Sequence, residues 1–342
     1  MGVSKRQLQF AFGGVALAAV AIGVGTLLVR EGGEPERSAG TGVSPGTGST
    51  FVTVSRSSDI AVLELATGRT RLVTHAGDRY LAVSSPTWSP DGRRIAFAQQ
   101  TCPHCPFRIA VVAPDERSTK SLRGWRKDAN EPTWSPDGGR LVFTTSHEAE
   151  RELALLDVRE GRGRALGIHE DAAGGGEVES PNHPAFSPGG STIAFEAGTT
   201  RERTRIYLLD LVTGELRRIE NKAAGNAFPA FSPTGRQLAF SQTDSRFAWD
   251  LCIVRLDGGE QVCLTRGSAN EVEPSWSPDG RSIIFASDRA DPQRVIRSLY
   301  TVRPDGSGLR RLTKGFDAGA PAFSRDGTEV AFVRRRIERF RR

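Results

Sequence analysis

The sequence is poor in the residues that most catalytic and metal sites need. It has one methionine, three tyrosines, four cysteines and five histidines. The histidines (His75, His104, His147, His169 and His183) never stand at ligand spacing, and none follows residue 183. Their scatter predicts loops of different units and gives no set of three metal ligands. No Gly-x-Ser-x-Gly, Ser-x-x-Lys or phosphate-cradling glycine loop occurs. No cofactor is called for. Helical periodicity is also missing beyond residue 30, so a chain of this length must build its core from strands. Basic charge is concentrated. Residues 334–342 hold six arginines against one glutamate, which accounts for nearly all of the net +6. The remainder is close to neutral, which excludes the broad basic face of a nucleic-acid binder.

One motif is abundant. Residues 274–287 read PSWSPDGRSIIFAS, and close variants begin at Pro86, Pro132, Pro184, Pro229 and Pro321. The intervals are 46, 52, 45, 45 and 47 residues, a period that signals repeated supersecondary units. Ser-Pro-Asp-Gly favours a tight turn, with proline presetting φ and glycine taking the left-handed position. The proline is lost at Arg325, yet Gly92, Gly138, Gly190, Gly235, Gly280 and Gly327 are all present. An aromatic precedes each turn (Trp88, Trp134, Phe186, Phe231, Trp276, Phe323). A strand ending near Phe97, Phe143, Phe195, Phe240, Phe285 or Phe332 follows it. Twelve aromatics at equivalent points predict a repeated core layer.

A second kind of hairpin alternates with the first. It pairs 60–65 with 69–74, 109–112 with 119–122, 153–157 with 164–166, 205–210 with 216–219, 251–255 with 261–265, and 298–302 with 309–313. Six hairpins of each kind make six four-stranded units, an all-β six-bladed propeller. The order starts on a second hairpin and ends on a first one. The ring is therefore expected to close by pairing the two ends of the chain, which leaves few open edges. Phe51–Ser55 is left over and competes with Glu329–Val333 for one strand position.

Ahead of the propeller, Lys5 and Arg6 precede an uncharged, mostly apolar run over residues 8–29. That length spans a bilayer and predicts a transmembrane signal anchor that places the rest outside the cytoplasm. A cleaved signal peptide, cut after Ala19-Val20-Ala21, is the alternative and gives a secreted protein. Residues 31–50 have linker composition, with a span of roughly 25 Å. The arginine-rich residues 336–342 form a basic tail suited to anionic headgroups.

The pattern P-x-[WF]-S-P-D-G-x-x-I-x-F, followed by Ser287-Asp288-Arg289, Leu299-Tyr300 and Arg310-Arg311-Leu312-Thr313, resembles the repeat of TolB-type WD40-like propellers. The resemblance covers about residues 51–335. It implies a fold shared by binding proteins, peptidase-associated domains and some carbohydrate lyases. Where TolB-type proteins carry an α/β domain before the propeller, this sequence has only the linker.

Cys252 and Cys263 stand symmetrically about Asp257-Gly258 and are expected to face each other across a two-residue hairpin as a disulfide. Cys102-Pro103-His104-Cys105 matches a thiol-oxidant motif but lies between strands, where a local disulfide is expected. Both pairs fit an oxidising compartment. The residues entering each innermost strand converge on the channel rim: Asp128, Asn130, Glu131, Glu179, His183, Asn226, Phe228, Asn270, Glu271, Glu273 and Asp317. Carboxylates and amides dominate, which suits a basic or amide-rich peptide, or a cation. The insertion over 167–183, with Gly174-Gly175-Gly176, is expected to lie as a flap over that rim. The expected function is a membrane-anchored, extracytoplasmic, non-catalytic scaffold with a protein or peptide ligand at the rim and no nucleic-acid partner. A propeller enzyme, such as a metal-dependent carbohydrate lyase or a peptidase-associated domain, is the alternative.

Overall fold

The computed structural model describes residues 29–30, 50–75, 82–102, 104–116, 118–125, 127–147, 150–168, 178–198, 204–220, 223–243 and 248–341. They form six sheets of antiparallel strands, and no helix occurs among them. Blade 1 runs Ala82–Trp88, Ile95–Gln100, Arg108–Val112 and Lys120–Ser121. Blades 2 to 5 repeat that order, starting from Asn130–Trp134, Asn182–Phe186, Gly225–Phe231 and Glu271–Trp276. The first strands of successive blades touch one another around a closed ring, so they are the innermost.

Blade 6 closes the ring. Its two inner strands, Asp317–Phe323 and Glu329–Arg341, come from the end of the chain, and its outer two, Thr50–Glu64 and Thr70–Leu72, from the beginning. Phe51–Ser55 does not compete with Glu329–Val333. It continues the third strand, and Thr50 to Val54 pair with Arg341 to Ile337 past a bulge before Ser58. In other blades a loop joins the second and third strands. Here a two-stranded ribbon made of the chain's own ends stands in its place, and the basic tail is part of it. Val29 and Arg30 lie alongside Val52 and Phe51. The rest of the apolar run and the linker lie outside the described residues, as do positions 169–177 of the insertion. No described helix is long and apolar enough to cross a membrane.

The core is the layer expected from the aromatics. Phe97, Phe143, Phe195, Phe240, Phe285 and Phe332 are all fully buried, each in the second strand of its blade. Turn chemistry sets the opposite end of each hairpin. In blade 5, Ser277 Oγ donates to Asp279 Oδ1 (2.6 Å), and the amides of Arg281 and Ser282 donate to Asp279 Oδ1 and Ser277 Oγ. The six turn glycines sit at φ between 69° and 72°, where a side chain would be strained. Each from Gly138 to Gly327 packs its open face toward the turn proline of the preceding blade, at 3.3–3.8 Å for an added Cβ. Gly92 has no such neighbour, because blade 6 carries Arg325 there. Arg325 instead donates to the Pro90 carbonyl at 2.6 Å and ties the closing seam.

Both cysteine pairs are disulfides, Cys102–Cys105 and Cys252–Cys263. Cys252 and Cys263 are register partners, as their symmetry required. The connection is longer than a two-residue turn. Pairing stops at Val254–Gln261, and the six residues between complete the loop.

Candidate functional site

At the end of each blade opposite the Ser-Pro-Asp-Gly turn, the innermost strand carries a β-bulge. The register skips between Ser84/Thr87, Asn130/Thr133, Asn182/Ala185, Ala227/Ala230, Val272/Ser275 and Gly319/Ala322. The two residues in the bulge are always an X-Pro dipeptide, and the single residue opposite them is the buried phenylalanine of the second strand. Proline cannot donate to the ladder, so the bulge removes a conflict and re-aims the residue before it. All six X residues are left-handed: Ser85, Glu131, His183, Phe228, Glu273 and Ala320, with φ from 47° to 59°. Such a backbone costs a non-glycine residue on the order of 1–3 kcal/mol. Six bulges in a ring thus hold side chains of five kinds at one geometry.

These residues surround the channel. A cavity of about 520 Å³ opens at this end, and a narrower one of about 220 Å³ runs between the X-Pro dipeptides below it. Their sizes fall near the range of small-ligand and peptide sites. Asp128, Asn130, Glu131, His183, Phe228 and Glu273 all reach the larger cavity. Asn226, Glu271 and Asp317 are brought to the same end but are buried, at 1%, 1% and 4% exposed. Asn270 binds the Asp288 carboxylate through its backbone and side-chain nitrogens (2.8 and 2.7 Å). Glu179 is exposed outside the cavity lining. His183 and His147 lie in strands, not loops: His183 in an inner strand, which begins before its proline, and His147 at the end of the second strand of blade 2.

The carboxylates mostly serve the fold. Asp128 Oδ1 accepts the Phe107 amide and Asp317 Oδ1 the Arg297 amide, the same contact made between blades 1 and 2 and between blades 5 and 6. Glu131 Oε2, Glu196 Oε2 and Glu273 Oε2 accept the left-handed amides of His183, Phe228 and Ala320 at 2.8, 2.6 and 2.7 Å. Each therefore satisfies a donor that the bulge removes from the ladder. Glu271 takes Ser287 and Arg289 on one oxygen and Thr265 on the other.

His183 joins two of these groups. Its Nε2 lies 3.1 Å from Glu131 Oε1 and its Nδ1 3.0 Å from Glu196 Oε1. Burial alone would lower its pKa, but the two carboxylates outweigh burial and raise it to about 9. The imidazolium is thus charged at neutral pH, with both N–H groups committed. Phe228 packs edge-on against it, with centroids 4.4 Å apart, and against Trp249 at 6.4 Å.

Several cavity residues carry no signal in the repeat itself. Glu196, Trp249, Arg297 and Arg335 come from second and third strands or the loops between them. Ser85 and Ala320 could have been found, since they too precede a repeated proline.

A family model described as the TolB beta propeller domain matches residues 176–341. The structure is similar to that of a putative TolB from Agrobacterium tumefaciens, with a TM-score of 0.69 and 21% identity over 82% of this chain and 99% of that one. The fold is that of a TolB-like β-propeller. TolB from Acinetobacter baumannii is similar at a TM-score of 0.58 and 17% identity, over 83% of this chain and 66% of that one. A chain of the nidogen/laminin complex is similar at 0.57 and 10% identity, over 76% and 91%. Identities this low speak to the fold alone. No curated protein matches the chain in sequence.

Proposed function

We propose that this TolB-like propeller is a non-catalytic, extracytoplasmic binding scaffold whose protein or peptide ligand enters the 520 Å³ cavity at the channel mouth. One observation carries the reading. Six bulges impose the same strained backbone on six residues of five kinds, and all six line one opening. The non-catalytic reading draws support from the charged groups themselves. In the Glu131–His183–Glu196 chain the charged groups are spent on each other. Two disulfides fit an oxidising compartment. The apolar run over residues 8–29 would anchor the domain, and the basic tail would add attraction to anionic headgroups. Because the ribbon of chain ends stands beside Val333 and Arg335 of the cavity wall, such an anchor would bring the mouth to the membrane side.

The test is photo-crosslinking in membranes from a benzoylphenylalanine placed at Phe228, with Val262 on the outer edge of the same blade as control. The expected result is one discrete adduct from position 228 and none from 262. Equal adducts from both positions, or none from 228, would overturn the rim as the binding site.

A further inference from the structure

The ring of X residues is uneven. Glu131, His183, Phe228 and Glu273 fill it from blade 2 to blade 5, while Ala320 and Ser85 leave it open at blades 6 and 1. Next to Ala320, Gly319 presents no side chain, and a Cβ there would stand 3.0 Å from Glu273 Oε2. Arg297 and Arg335 wall this open side. Asp317 holds them together, its Oδ1 on the Arg297 amide and its Oδ2 on Arg335 Nη1, both at 2.8 Å. Its own side chain is only 6% exposed, whereas those of Arg335 and Arg297 are 31% and 27% exposed. The anion therefore lies behind, and the cations face the cavity.

The two guanidinium groups also have donors to spare. Arg335 spends one N–H on Asp317, and the charged partner of Arg297 is Glu273 at 3.8 Å, beyond hydrogen-bond length. That Glu273 oxygen already accepts the Ala320 amide. A guanidinium carries five N–H groups in a fork that matches a carboxylate.

We propose that the blade 6 side of the cavity is a carboxylate pocket, made by Arg297 and Arg335 above the small floor of Gly319 and Ala320. The ligand group it takes is a peptide carboxylate, either a C-terminus or an acidic side chain. This deepens the peptide-binding reading and rests on it. It also shifts the expectation from rim composition: Asp128, Glu131, Glu271, Glu273 and Asp317 already accept hydrogen bonds from the protein, and arginine donors stand beside them.

Three probes test it by calorimetric titration of the full chain in detergent: acetyl-pentaalanine with a free C-terminus, its amide, and the amide with a central glutamate. The free acid should bind about tenfold more tightly than the neutral amide, the weight of one charge-assisted contact. Tight binding of the glutamate amide as well assigns the pocket to carboxylates in general; tight binding of the free acid alone assigns it to C-termini. Arg297→Gln should erase the preference, and Arg255→Gln, on an outer turn of blade 4, should leave it unchanged. Ala320→Phe should close the pocket without unfolding the blade, because Phe228 occupies the same position at φ 56°. Equal binding of all three probes, no binding of any at millimolar concentration, or a preference that survives Arg297→Gln would overturn the pocket. If a partner still crosslinks at position 228, those outcomes leave the rim reading standing; loss of that adduct would overturn the rim itself.

Discussion

Each blade's inner hairpin has two ends, and they differ in what is repeated. At the turn end, sequence and geometry recur together. The glycine is present six times, its φ varies by only a few degrees, and most copies keep the serine and aspartate bonds. At the bulge end only the geometry recurs. Proline, left-handed backbone and opposing phenylalanine are the same six times, while the residue before the proline is Ser, Glu, His, Phe, Glu or Ala. Where side chain and backbone repeat together, the demand is structural. Where the backbone repeats and the side chain does not, the fold is presenting something.

The largest expected effect falls between the two ends, on the layer they share. Phe240→Ala removes a fully buried ring and should cost about 3–5 kcal/mol in denaturant unfolding. A cost below about 1 kcal/mol would show that the phenylalanine layer does not hold the blades together. At the turn end, Gly280→Ala places a side chain at φ 70° and should cost about 1–2 kcal/mol by the same measurement. At the bulge end the sign reverses. Ala320→Gly relieves a left-handed residue at φ 49° and should leave stability unchanged or raise it by up to about 1 kcal/mol. Loss of stability there would mean that the strain is not as described.

A fourth expectation concerns the histidine of the bulge ring. The folded pKa of His183, about 9, lies above its unfolded value near 6.5. A raised pKa means that the folded state holds the proton more tightly, so the stabilisation is complete below pH 6.5 and is lost as pH rises through 9. Melting temperature should therefore fall between about pH 6.5 and 9.5, and His183→Gln should flatten that decline. An unchanged pH profile in the variant would remove the Glu131–His183–Glu196 chain from the account.

Much of the fold is legible in the residues. The count of two hairpin types gives six blades, the orphan hairpins at the ends give the closure, and the symmetry of Cys252 and Cys263 gives their pairing. The bulges are not legible, because the residue before a proline is ordinarily pushed toward extended conformations, and a bulky left-handed residue is disfavoured further. The ring of neighbouring blades makes that geometry tolerable, with carboxylates placed to receive three of the displaced amides, those of His183, Phe228 and Ala320. The same burial hides the use of the acids. Glu271 and Asp317 look like rim charges in sequence, yet their partners Arg289 and Arg335 come from a loop and from another strand. Arg297 was invisible for the same reason: nothing local marks it as facing the channel.

The claim that the bulge end is a presentation frame is tested most directly by exchanging its side chains. The double variant Phe228→Ala, Ala320→Phe keeps composition and both backbones and moves the aromatic from blade 4 to blade 6. Its melting temperature should stay within about 4 °C of the parent, roughly 1 kcal/mol for a domain of this size, while the adduct from a crosslinker at neighbouring Trp249 disappears. A protein that unfolds more than about 10 °C earlier, or one that keeps the adduct unchanged, would contradict the account.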